Sequence, residues 1–197
     1  MAQTNKSKIS VAHALFLISG ITLLVYYLLS QGVPSIGNDL GSLMKFIVEI
    51  FVLVLLIGFY FFFLFEGKNC EGTVKSIAPS LLILIVVGSY SMNFGSAEAN
   101  AVISGIASMF YLLIIVCGFV FLFIRNKLVG MVFAFSNVIY AFFVTLSYII
   151  VLIISLVNGG SFSLAKMFET LFYVISLGLL FVGGYLITKN KDWSLNR

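Results

Sequence analysis

The chain has little with which to do chemistry or to meet water. One histidine, two cysteines and seven acidic residues are spread over 197 positions, and charged residues make up only 9%. That leaves too little polar surface to coat a water-soluble globule, so a soluble domain is excluded. Cys70 falls in a loop and Cys117 within an apolar run, neither placed for an oxidised disulfide, and no metal-ligand spacing links them. No paired acids and no nucleophile with a matching base can be assembled, so no enzyme activity, metal or cofactor is expected. No basic stripe with interleaved aromatics appears, which argues against nucleic-acid binding. Of the two prolines, Pro34 lies between apolar runs and Pro79 in the opening turn of one, where proline is tolerated. Broken-helix binding sites therefore lack their usual signature, with Gly183 and Gly184 the one exception.

What the chain does have is hydrocarbon. Hydrophobic residues make up 61% and the mean hydropathy is +1.18. A bilayer core of about 30 Å needs roughly 20 helical residues. Five apolar runs meet that length, charged only at Glu49 and Glu169 near the ends of two of them: Val11–Ser30, Phe46–Phe65, Ala101–Ile124, Leu128–Val157 and Phe168–Ile187. A sixth, residues 76–93, just spans if Ser76 and Asn93 are counted at its ends. The expected fold is an all-α integral membrane protein, a single compact bundle of six transmembrane helices over residues 1–197. Arg125, Asn126 and Lys127 alone join the fourth and fifth spans, so these form a tight antiparallel hairpin. The fifth run would be about 45 Å long as a helix and must tilt, protrude or break. The first span is longer than a signal-peptide core and lacks a small-residue cleavage site after it, so it is expected to be retained.

The Lys and Arg residues orient these spans. Lys6, Lys8, Lys68, Lys75, Arg125, Lys127, Lys189, Lys191 and Arg197 fall on one side, and only Lys45 and Lys166 on the other. Under the positive-inside rule both termini are expected in the cytoplasm, with a bacterial cytoplasmic membrane as the expected location. The net charge of +4 is accounted for by these turns, where it can meet anionic headgroups.

Polar residues within the spans are the informative ones, because leaving them unpaired in hydrocarbon is costly. In the fifth span Gly130, Ala134, Asn137, Ala141, Thr145, Tyr148 and Ser155 fall along one helical stripe. That face is expected to point inward, either for packing or as a wall that presents Asn137, Thr145 and Tyr148 to a solute. Ser76, Ser80, Gly88 and Ser91 form a similar stripe in the third span, and Ala101, Ser104 and Ser108 begin one in the fourth, so these three helices are expected to form the inner layer. At the opposite rim Glu49 stands one turn from Lys45, and Glu169 close after Lys166. These four residues read either as interfacial ion pairs or, with Asp39 and Glu98, as an acidic outer vestibule. His13 and the residues Tyr26, Tyr27, Tyr90, Tyr185 and Trp193 read as interfacial anchors. The run from Phe59 to Phe65 covers every side of its helix, so part must face lipid or a partner. Gly58, Gly118 and Gly178 recur sixty residues apart, the pattern three tandem helical hairpins would leave.

No charged residue lies near a midplane, which counts against an ion-coupled carrier. Two functions remain: a small transport-type membrane subunit, solute-binding or permease-like, and a non-catalytic accessory or assembly subunit of a larger membrane complex. An intramembrane enzyme is a distant third. In size and span count alone the chain is similar to the substrate-binding membrane subunits of vitamin importers, without any motif of theirs. The expected partners are the bilayer, other subunits or further copies of the chain, and on the transport reading an unidentified small solute.

Overall fold

A computed structural model describes residues 2–31, 39–64, 70–91, 98–124 and 126–189. Every element among them is a helix: α1 (Ala2–Gln31), α2 (Leu40–Leu64), α3 (Cys70–Lys75), α4 (Ala78–Ser91), α5 (Glu98–Phe123), α6 (Lys127–Val157) and α7 (Leu164–Thr188). Five of them, α1, α2, α5, α6 and α7, are long and apolar enough to cross a membrane. The chain is thus a helical membrane protein. The segment expected as the third span is shorter. Pro79 has no N–H to give the carbonyl of Lys75, so the helix turns at Ser76 and Ile77 and divides into α3 and the 14 residues of α4. At 1.5 Å per residue α4 covers about 21 Å, less than a full hydrocarbon core.

Cross-helix contacts set the directions. Phe16 packs against Gly183 and Tyr26 against Tyr173, so α1 and α7 are antiparallel. Gly130 meets Thr188 while Tyr140 meets Tyr173, which makes α6 antiparallel to α7. Phe121 against Phe133 and Tyr111 against Tyr140 do the same for α5 and α6. The start of α1 and the end of α7 therefore share one end of the bundle. Lys75, Lys127 and Lys189 lie at that end, and Lys45 and Lys166 at the other. Lys68, Arg125, Lys191, Trp193 and Arg197 lie outside the described residues, as do the side chains of Lys6, Lys8, Cys70, Tyr90, Ser91, Glu98 and Ala101.

The inner layer differs from the expected one. Helix α4 is well buried, but the apolar stretches of α1 and α7 are each 39% buried against 28% for α5 and 22% for α6, and together α1 and α7 form the most extensive interface among the described residues. Gly183 makes that approach possible, and Gly184 the approach of α7 to α6. A Cβ on Gly183 would stand 2.5 Å from Phe16 Cε1, and one on Gly184 3.3 Å from the Ala134 methyl. Helix α7 runs unbroken through both, so this glycine pair admits neighbouring helices and does not interrupt its own. The sixty-residue recurrence covers unlike surroundings. A Cβ on Gly118 would meet Leu81 at 2.6 Å, whereas Gly58 and Gly178 have nothing within 4 Å.

The long α6 remains one helix of 31 residues. It begins at Asn126, whose side chain accepts from the Leu128 amide at 2.8 Å, and ends at Asn158. Gly159 then takes the left-handed φ of 77° that turns the chain toward α7. Val157 and Leu164 on either side are exposed, so this hairpin projects past the packed part of the bundle.

Helix α2 is the exception to the packing. It touches α4 and α1 lightly, and Leu56 is the one residue buried among its described side chains. Leu53 and Tyr60 flank Leu56 on the inward face. At 100° per residue Val54, Gly58 and Phe62 fall on the opposite face, and they are open.

Candidate functional site

The polar residues of the bundle interior converge in one region. Ser19 of α1 is fully buried and donates to the carbonyl of Ser176 on α7 at 3.0 Å. Ser80 of α4 donates in turn to the Ser19 hydroxyl at 3.4 Å. Next to this seam stand four tyrosines from four helices. Tyr26 stacks on Tyr173 with centroids 4.6 Å apart, Tyr173 meets Tyr140 edge-on at 6.1 Å, and Tyr140 packs against Tyr111 at 5.7 Å. The hydroxyl of Tyr173 donates to that of Tyr140 at 3.3 Å. That of Tyr111 donates to the carbonyl of Leu84 at 2.7 Å, reaching it over Gly88, where a Cβ would collide with the phenol. Each aromatic pair adds about 0.5–1.5 kcal/mol beyond the area it buries. The cluster thus fastens α1, α4, α5, α6 and α7 together.

These tyrosines were not singled out as a group from the sequence, where Tyr26 read as an interfacial anchor. A signal was present. Measured from the end where the termini lie, Tyr26, Tyr111, Tyr140 and Tyr173 stand about 12 to 15 residues along their helices, hence at a common depth of roughly 18 to 23 Å.

The expected stripe on α6 is placed as follows. Gly130, Ala134, Asn137 and Ala141 are buried, and Thr145, Tyr148 and Ser155 are half-buried on the same flank. Asn137 is fully buried, but its Nδ2 donates to the carbonyl of Phe133 in its own helix at 2.8 Å, and its Oδ1 has no partner among the described residues. Thr145 likewise bonds within α6, to the carbonyl of Ala141 at 2.8 Å. The Ser147 hydroxyl, also buried, has no partner among the described residues. Asn137, Tyr140, Val144 and Ser147 share one face of the helix.

At the other rim, Lys45 and Glu49 pair at 3.6 Å, with Lys45 well exposed and Glu49 half-buried. An exposed pair of this kind contributes little. Among the described residues Lys166 and Glu169 form no ion pair. Lys166 is exposed in the first turn of α7, where Ser163 caps its amide at 3.4 Å, and Glu169 is half-buried on the same helix. Glu49 lies on α2, whose neighbours are α1 and α4, whereas Glu169 lies on α7, packed on α1 and α6. Asp39 caps α2. It accepts from the Ser42 amide at 3.2 Å, and bonds to Ser42 hold its carboxyl below the usual carboxylate value. His13 is half-buried in α1, and Lys189 lies over the Tyr185 ring at 4.6 Å, an arrangement suited to the membrane boundary.

Two clefts stand apart from this packed interior, and both involve α2. One, of about 170 Å³, is enclosed by α1, α2 and α4. The other, of about 460 Å³, is an open groove along Val54, Leu55, Gly58 and Phe62. Both have apolar walls. Among the described residues no three of His, Cys, Asp and Glu gather as a metal site. No family model matches the chain, and no curated protein or solved structure is significantly similar to it.

Proposed function

We propose that this chain is a non-catalytic subunit of a larger membrane complex, held by six helices with both termini at the cytoplasmic face of a bacterial membrane, and that α2 is the helix it presents to partners. Of the two functions drawn from the sequence, this one has the better physical support. Fully buried Tyr140, Tyr173, Phe16, Phe121 and Phe133 occupy the middle of the bundle, where a carrier would keep a polar path. The observation that carries the reading is α2 itself: 25 residues, with one buried side chain among those described and an open glycine on the outward face. Helix association in membranes depends on close packing of backbones around small residues, and α2 has little of it with its own bundle. A partner helix seated along Val54, Gly58 and Phe62 would supply it. The six-span count is supported by the directions of the helices, and the cytoplasmic assignment by the basic residues gathered at the end where the chain starts and stops.

The test is mass in a mild detergent. The wild-type chain should run in an assembly, homo-oligomeric or mixed, well above its own 21.7 kDa. Gly58→Leu should reduce it to the single chain without altering its thermal unfolding. A monomeric wild type, or an assembly indifferent to Gly58→Leu and Val54→Trp, refutes the proposal.

The transport reading keeps one specific support, the unpartnered Asn137 Oδ1 and Ser147 hydroxyl on the inward face of α6. Polar atoms of this kind suit a hydrated path that a small uncharged solute could follow.

A further inference from the structure

The cleft between α1, α2 and α4 lies inside the membrane-spanning part of the molecule, on the side of α2 opposite the Gly58 groove. Gly20 and Leu24 form one wall, Leu56 and Phe61 the second, and Pro79 and Ile83 the third. Its surface is almost wholly hydrocarbon. Gly20 keeps it open: a Cβ there would stand 3.6 Å from the Ser80 hydroxyl and 3.7 Å from the Tyr60 ring, already in contact with both walls.

Position decides what can enter. Ile21, on the rim, is ten residues in from Val11, where the apolar run begins, so it lies about 15 Å deep, half of a core about 30 Å thick. Headgroups and water do not reach that depth. Exposed Ile21, Ile57 and Phe61 border the cleft, which therefore opens sideways to the bilayer. A gap there loses the dispersion contacts of every atom that lines it, and a chain sliding in from the bilayer sheds no water to restore them. Its volume of about 170 Å³ resembles that of apolar cavities, about 150 Å³, known to take up benzene. That suits a segment of chain and not a whole lipid. It also matches the weakness of α2's own contacts.

We propose that this cleft is a binding site for one acyl chain of a bilayer phospholipid, resident between α2 and the bundle and completing the packing of α2. The proposal depends on the chain standing in a bilayer and not on the docking of a partner to the other face of α2.

Phe61→p-benzoylphenylalanine places a photoreactive group on the rim, and Met109→p-benzoylphenylalanine places one on an exposed face of α5 as the control for lipid that merely surrounds the protein. Both full-length variants are reconstituted into vesicles of phosphatidylethanolamine and phosphatidylglycerol, irradiated, and weighed by mass spectrometry. The expected result is a phospholipid-sized adduct at residue 61 in at least fivefold greater yield than at 109. Adding Gly20→Leu, which fills the cleft from α1, should bring residue 61 down to the level of 109 while the yield at 109 holds. If that variant does not fold, Ile57→Trp fills the cleft from α2 and should do the same. Equal yields at the two positions, or a high yield that survives filling, would overturn the proposal. So would a dominant adduct of doubled mass, which would seat a second copy in the cleft, or one the size of another protein.

Discussion

The interface between α1 and α7 can be tested at a single methyl group. Gly183 faces Phe16, and a Cβ added there would lie 2.5 Å from Cε1, 2.8 Å from Cδ1 and 3.0 Å from Cζ. Phe16 is fully buried, so its ring has no free space to retreat into. Overpacking of this sort costs about 1–3 kcal/mol, set against the roughly 0.5–1 kcal/mol that alanine gains over glycine in a helix interior. Gly183→Ala should therefore lose about 0.5–2 kcal/mol, and at about 2–4 °C per kcal/mol for a chain this long its Tm in detergent should fall by a few degrees. Gly58→Ala and Gly178→Ala have only the helical gain, since nothing lies within 4 Å of either added atom, and should be neutral or slightly stabilising. Thermal unfolding of the three variants in one detergent reads the contrast. Adding Phe16→Leu to Gly183→Ala should recover part of the loss, a non-additivity expected only of residues in contact. Equal responses at all three glycines would mean that α1 and α7 are not packed as described.

Asn137→Leu should leave stability unchanged or raise it, because it removes a buried carbonyl without a partner, a group that costs about 1–3 kcal/mol; a loss above about 1 kcal/mol would show that the oxygen is satisfied after all. Tyr111→Phe should lose about 0.5–1.5 kcal/mol with its bond to Leu84, and more than Tyr173→Phe, whose bond is longer at 3.3 Å against 2.7 Å. Asp39 has a depressed pKa, so its cap stabilises α2 above the ordinary carboxylate value of about 3.9 and is lost as pH falls through the lower folded value. The protection of the Ser42 amide, taken against its intrinsic exchange rate at each pH, should accordingly fall on acidification and lose that dependence in Asp39→Asn.

The fold class was legible because a helix that crosses hydrocarbon must be apolar along its length, and basic residues must collect at its ends. The inward face of α6 was legible for a related reason: Gly130, Ala134 and Asn137 are small or polar where lipid-facing positions need be neither. Inside and outside were far harder to separate on the purely apolar helices. Lipid tails are as apolar as a protein core, so the leucines and phenylalanines of α2 gave no sign that they lie open, nor those of α1 and α7 that they pack together. Cross-helix partners were also out of reach. Asn137 and Thr145 face inward, yet both bond back to carbonyls of their own helix. Lys166 and Glu169 are close in sequence, but a spacing of three residues along a helix brings side chains near without making them pair, and among the described residues these two form no ion pair.

The central claim is that the bundle interior is closed and the working surface lies on α2. Ala141→Cys and Ser147→Cys, each in a chain with Cys70 and Cys117 replaced by alanine, put a single thiol on the inward face of α6 in otherwise intact protein. A small hydrophilic methanethiosulfonate reagent applied to proteoliposomes from either side should leave both thiols unmodified, while a control thiol at exposed Ser161 reacts fully. Rapid modification at both inner positions would reveal a hydrated path through the bundle and return the protein to the transporters.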